Sequence, residues 1–251
     1  EGPETVAAFL AEPVMGAGGV IVPPKTYFEK IQAVLKKYDV LMIADEVICG
    51  FGRTGNMWGS QTFGIKPDIL TCAKALSSAY LPISAVMISE EIFQGLRGNS
   101  EKLGLFGHGY TYSAHPACAA VAVRTQELMQ ERDIIGHVKA VSPHFQNRIA
   151  TLGDHAMVGQ ARGVGLIGAV EIVADKASKR SYDPAAKVGA LIQNAAQEHG
   201  LITRAMPGDI LGFCPPLIIS PSEIDEMFDR FTRALDETEM QLKQQGASAA
   251  Q

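Results

Sequence analysis

Two apolar runs end in residues that could do chemistry. Val40–Ala44 closes on Asp45-Glu46, and Ile69-Leu70-Thr71-Cys72-Ala73 closes on Lys74. Such uninterrupted runs read as strands buried on both faces, the kind found in parallel sheets. In open α/β sheets, ligands bind at the edge where those strands end. A carboxylate placed there needs a cationic or hydrogen-bonding partner, because burying it alone is costly. Three arrangements meet that need: a ligand site served by Asp45 and Lys74, an ion pair between the two, or Asp45 capping the turn that follows it. Spacing alone leaves all three open.

Other patterns fail on context. Gly163-Val-Gly165-Leu-Ile-Gly168 matches a dinucleotide fingerprint and Asp183 follows at a suitable distance. However, Val170-Glu171-Ile172-Val173 continues as a strand, where pyrophosphate needs a helix N-terminus. Leu41-Met-Ile-Ala-Asp45-Glu46 resembles the second acidic motif of a P-loop ATPase, but no G-x-x-x-x-G-K-[ST] accompanies it. The six histidines show no metal-ligand spacing, so no metal is expected.

The elements that must hold Asp45 and Lys74 form a mixed α/β rhythm. Val6–Glu12 reads as a strand, and Phe28, Ile31, Val34 and Leu35 have helical spacing. Ile83–Ile88 reads as a further strand, and 94–108 as a glycine-punctuated loop. From Pro116 to about Thr151 the pattern is helical, then Gly165–Ile172, Leu201–Arg204 and Ile210–Phe213 read as strands. A helix over Ser222–Lys243 follows, with a fraying tail over 244–251. The expected division is residues 1–130 and 131–251, joined by a long helix near 120–150.

Composition narrows the function classes. The 251 residues carry 22 Lys+Arg against 27 Asp+Glu, a net charge of -5, with 47% hydrophobic and 20% charged residues. An acidic surface suits neither nucleic acid nor anionic lipid. No apolar run approaches the roughly 20 residues of a membrane span. The start of the chain lacks a signal-peptide pattern, and the four cysteines form no Cys-x-x-Cys pair, so a cytoplasmic setting is expected.

The local sequence distinguishes among the three readings of Asp45 and Lys74. Met42-Ile43-Ala44-Asp45-Glu46-Val47-Ile48-Cys49-Gly50-Phe51-Gly52-Arg53-Thr54-Gly55, followed by Pro67–Ala79, resembles the signature of class III pyridoxal-phosphate aminotransferases. Leu10–Val14, Gly109–Pro116, Ala161–Leu166 and Gly200–Leu217 extend the resemblance along essentially the whole chain. Ala75, Ala79, Ser84 and Ala114 stand where glycine is common in that family. The resemblance implies the type I fold of aspartate aminotransferase, with an incomplete, mainly parallel large domain and a C-terminal α/β small domain.

It also implies roles. Lys74 would be the lysine that binds pyridoxal phosphate covalently and shuttles the proton. Asp45 would face the pyridine nitrogen, Val47 the ring, and Glu12 the 3-oxygen and the pocket mouth. Thr111 would reach the cofactor phosphate of a neighbouring subunit, making a homodimer with shared active sites. Arg204 would pair with a substrate carboxylate; Arg53 and Arg162 are expected to be structural. The expected reaction moves an amino group from a primary amine or ω-amino acid to a 2-oxo acid, with pyruvate the expected acceptor. An aminomutase or decarboxylase of the same fold, or a non-catalytic subunit, are the alternatives. Family members carry a glycine–serine phosphate loop that has no counterpart before Glu12, so an N-terminal piece in a separate or missing segment is expected.

Overall fold

The computed structural model describes residues 2–249, which divide into two compact units. The first comprises the chain up to Val14 together with Pro23–Ile135. Its elements are β1 (Ala8–Ala11), α1 (Tyr27–Tyr38), β2 (Leu41–Asp45), α2 (Gly59–Phe63), β3 (Ile69–Cys72), β4 (Ala85–Ile88), α3 (Glu90–Leu103) and α4 (Pro116–Glu131). The sheet order is β1-β2-β3-β4. The first three strands are parallel, and β4 returns antiparallel to β3. The three parallel strands therefore end along one edge.

α1 forms because Phe28, Ile31 and Leu35 recur at helical spacing, and it closes where Asp39 turns left-handed and donates its N–H to the Leu35 carbonyl. Phe28 packs against Met42 of β2 and Ile65, with Phe9, Ala11, Leu35 and Phe63 around them. Burying Phe28 contributes about 1.5–3 kcal/mol. β2 is covered less completely than its composition predicts: Met42 and Ala44 are buried, Leu41 is exposed, and Ile43 and Asp45 lie between. An all-apolar run carries no periodicity to reveal which face is covered.

Two helical segments depart from expectation. The stretch expected as a loop over 94–108 is helical up to Leu103. Ser89 caps α3 by accepting the Ile92 N–H, and Glu90 and Glu91 favour its positive end. Gly95 and Gly98 face open space, where their missing side chains cost no packing. The single long connecting helix is instead two: α4 stops at Glu131 and α5 (Ile134–Leu152) starts after a left-handed Asp133.

The second unit comprises Met15–Val22 and the chain from Gly136 onward. It holds most of α5, then β5 (Val158–Val164), β6 (Ile167–Ile172), α6 (Val188–Glu198), β7 (Arg204–Met206), β8 (Ile210–Phe213) and α7 (Pro221–Ala249). Its sheet is antiparallel, ordered β5-β6-β8-β7. Phe145, Phe213, Phe228 and Phe231 stack in its core with ring centroids 4.7–5.4 Å apart. Gly163 and Gly168 face each other across the β5–β6 hairpin, so the G-x-G-x-x-G match is a strand turn. α7 continues to Ala249, through most of the segment expected to fray; residues 250–251 lie outside the described residues. Among the described residues no helix is long and apolar enough to cross a membrane.

Two of the four glycine departures acquire a cost here. Ala79 and Ala114 adopt φ of 62° and 55°, a left-handed region that burdens any Cβ. The strain is about 1–2 kcal/mol each, and glycine's greater unfolded-state entropy offsets about 0.5–1 kcal/mol of that. Ala79→Gly with Ala114→Gly is therefore expected to raise the melting temperature. A lower midpoint in the double variant would show that entropy outweighs the strain.

Candidate active site

Asp45 is the last residue of β2 and lies across from Thr71 of β3. One carboxylate oxygen, Oδ1, accepts the Val47 N–H at 3.0 Å and the Thr71 hydroxyl at 3.2 Å. The Glu46 N–H reaches the Thr71 carbonyl at 2.9 Å and ties the same two strand ends together. Oδ2 has no partner among the described residues. The Val47 contact is the turn cap that sequence left open, and it occupies only half of the carboxylate.

Lys74 begins a single turn of 3-10 helix two residues after β3 ends. Its φ of 44° is sparsely populated for a residue with a Cβ, and Ser78 and Ala79 share that region. The turn is held by the Lys74 carbonyl, which accepts from Ser77 and Ala79, and by Gln126 of α4, whose amide donates to the Leu76 carbonyl at 3.0 Å. The Lys74 side chain is exposed, and its amine meets no acceptor among the described residues. No ion pair joins it to Asp45 there, so the second of the open readings is not what the chain adopts.

Glu12 follows β1 directly, one step beyond the Ala11–Ala44 pair, and so stands on the same edge as Asp45. Val47 is half-buried beside it. Thr111 sits elsewhere in the first unit, on an exposed turn closed by the Ser113 N–H to the Tyr110 carbonyl. Arg204 opens β7 in the second unit, exposed and without an ion pair among the described residues. Arg162 is engaged structurally. Its guanidinium donates to the Gly19 and Val20 carbonyls, to Gln160 and to Glu171.

Sequence reasoning missed two residues here. Thr71 gives Asp45 its second donor. Glu46 is fully buried, with its carboxylate accepting the Gly59 N–H at 2.8 Å, the Ser60 N–H at 2.6 Å and the Ser60 hydroxyl. Strand alternation was the available signal: consecutive residues face opposite sides, so Asp45 and Glu46 cannot share one environment.

This donor set suits an aromatic aldehyde carrying a basic ring nitrogen. An open carboxylate oxygen can hold a proton on such a nitrogen, and an unpaired primary amine can bond the aldehyde carbon. The Aminotransferase class-III family model matches residues 1–235. The chain belongs to the class III aminotransferases. Its fold is thus that of the type I pyridoxal-phosphate-dependent transferases, and pyridoxal phosphate is the cofactor of this family. Among its relatives is gamma aminobutyrate transaminase 1, mitochondrial, of Solanum lycopersicum. The two are 49% identical over 97% of this chain and 47% of the relative. A transaminase solved with L-ala is 52% identical, with a TM-score of 0.93 over 96% of this chain and 57% of that one. The omega transaminase from Pseudomonas jessenii in complex with PMP is 52% identical, with a TM-score of 0.91 over 94% and 52%. The class III chain described here spans about half the length of the curated relatives it matches.

Proposed function

We propose that this chain serves pyridoxal-phosphate-dependent transfer of an amino group from a primary amine or ω-amino acid to a 2-oxo acid, with pyruvate as acceptor. The two substrates react in turn, in ping-pong order. The observation that carries the reading is the half-engaged Asp45 carboxylate on the same sheet edge as an amine, that of Lys74, which meets no acceptor among the described residues. Bound pyridoxal phosphate supplies an electron sink for the charge left when a proton departs the amine-bearing carbon.

The chain's own residues do the rest. Lys74 Nζ would hold the cofactor through its aldehyde carbon, water leaving as the C=N bond forms, and would be freed when a substrate amine takes its place. The freed Lys74 amine would then serve as the proton carrier at the reacting carbon, first as base and then as acid. Asp45 Oδ2 would hold a proton on the ring nitrogen, while the donors on Oδ1 fix the carboxylate's orientation. Val47 would pack on the ring, and Glu12 would act at the 3-oxygen side of the pocket mouth. Thr111 binds the phosphate of a second copy in a homodimer with shared sites, a role its exposed turn leaves it free to take. The gamma-aminobutyrate transaminase relatives support a donor whose amine is remote from its carboxylate.

Trapping tests the covalent step. Borohydride reduction of the complete, cofactor-loaded protein, followed by peptide mapping, should label Lys74 and no other lysine. A label on another lysine removes Lys74 from the role.

Arg204 is assigned to the substrate carboxylate, which a planar guanidinium can bind through two parallel bonds. Arg204→Ala is expected to slow the half-reaction with an oxo acid about ten- to a hundredfold, the value of a lost charge-assisted contact of about 1.5–3 kcal/mol. An uncharged amine should be affected far less. Equal losses in single-turnover measurements would mean damage to the fold or cofactor site instead.

A further inference from the structure

We infer that Glu46 is a positioning residue for the reaction, its buried carboxylate setting the orientation of Asp45 by tying the end of β2 to the Gly59–Ser60 backbone. This rests on the assignment of Asp45 to the cofactor's ring nitrogen. A carboxylate with no exposure is tolerated only when its oxygens are satisfied, and Glu46 has three donors. Those donors belong to the first two residues of α2, thirteen and fourteen positions along the chain, so the carboxylate closes the whole 47–58 loop onto the residue adjoining Asp45.

The far end of this tie is itself closely packed. A Cβ on Gly59 would lie 2.7 Å from the Cys49 Cβ and 2.8 Å from the Pro13 Cβ, so the backbone there is packed directly on both. Pro13 adjoins Glu12. One buried anion thus anchors the stems of two proposed site residues, Asp45 and Glu12. The Gly50 N–H to the Glu46 carbonyl at 2.8 Å adds a main-chain bond to the same knot. Its charge also reaches β3: burial chiefly, with Glu46 adding to it, pushes the Cys72 thiol above its ordinary value, against a hydrogen bond with the Ala85 backbone that lowers it.

A merely structural anchor and a positioning one make different predictions. The test uses the complete protein as wild type, Glu46→Gln and Thr62→Ala. The last breaks the bonds from Thr54 and Asn56 within the same region but leaves the Glu46 knot intact. Both variants should melt lower than wild type. Only Glu46→Gln should bind pyridoxal phosphate more weakly, by about tenfold, the worth of a charge-assisted hydrogen bond. It alone should also move the pH midpoint of the bound cofactor's visible absorbance upward, because a less positive ring competes less for the proton at the Lys74 nitrogen.

Wild-type affinity and midpoint in a Glu46→Gln protein that melts lower would overturn the inference while leaving the role of Asp45 standing. If Glu46→Gln does not fold, Ser60→Ala, which removes one donor of three, should shift both readouts in the same direction, and unchanged values overturn the inference. A wild type that binds no pyridoxal phosphate overturns the cofactor reading itself, and the inference with it.

Discussion

Lys74→Ala is expected to abolish amino transfer in the complete protein while leaving it folded. The Lys74 amine holds nothing in place among the described residues, so its removal deletes no hydrogen bond or ion pair from the fold. Alanine meets the same left-handed backbone that lysine already tolerates at φ 44°. The melting temperature should therefore move little, whereas turnover loses both the covalent attachment and the proton carrier. Loss of the proton carrier alone is worth about 10²–10⁴-fold. Cofactor should still bind noncovalently, without a borohydride-stable label. Turnover within a factor of about ten of wild type, with correct folding shown by circular dichroism, would end the proposed role.

Asp45→Asn separates the two uses of that side chain. Asparagine keeps the shape and can still accept the Val47 N–H and the Thr71 hydroxyl through its amide oxygen, more weakly than a carboxylate, and still serves in the turn. If capping were the whole role, the variant would turn over normally. The negative charge opposite the ring nitrogen is lost, however, and an amide group stands where Oδ2 stood. Removal of one preorganised electrostatic contact in a catalytic site costs about 10²–10³-fold in kcat. A fall of that size with only a small drop in melting temperature is the expected result. Stability and kcat falling together would point to a structural role alone.

The strand ends were legible because apolar runs stop abruptly at charged residues, and that transition places Asp45 and Lys74 without any tertiary information. What sequence could not carry was coverage. The run before Asp45 reads as doubly buried, yet Leu41 is exposed, because an apolar run does not itself encode which of its faces is covered. α3 was hidden by Gly95 and Gly98, although Ser89-Glu90-Glu91 was a usable start signal. β5 was missed because Gly159-Gln160-Ala161-Arg162-Gly163 lacks apolar alternation, and it becomes a strand by pairing with the buried β6. Glu46 was passed over because charged residues are rarely fully buried, and its three donors lie well along the chain. Backbone angles were invisible too: Ala79 and Ala114 are small-for-small replacements in sequence and strained residues in structure.

The chain's route between its two units limits how the protein can be dissected. It passes from the first unit to the second after Val14, returns after Val22, and leaves again after Ile135. No single scission separates the units. A fragment cut at Ile135 would keep Met15–Val22 but lose Arg162, which donates to the Gly19 and Val20 carbonyls. The complementary fragment would keep an arginine with its acceptors gone. Val20, buried and at a left-handed φ of 51°, would then hold a strained conformation with little to enforce it. Gene splitting, domain grafting and loop exchange between relatives must therefore carry Met15–Val22 together with the partner hairpin, as two segments moved at once.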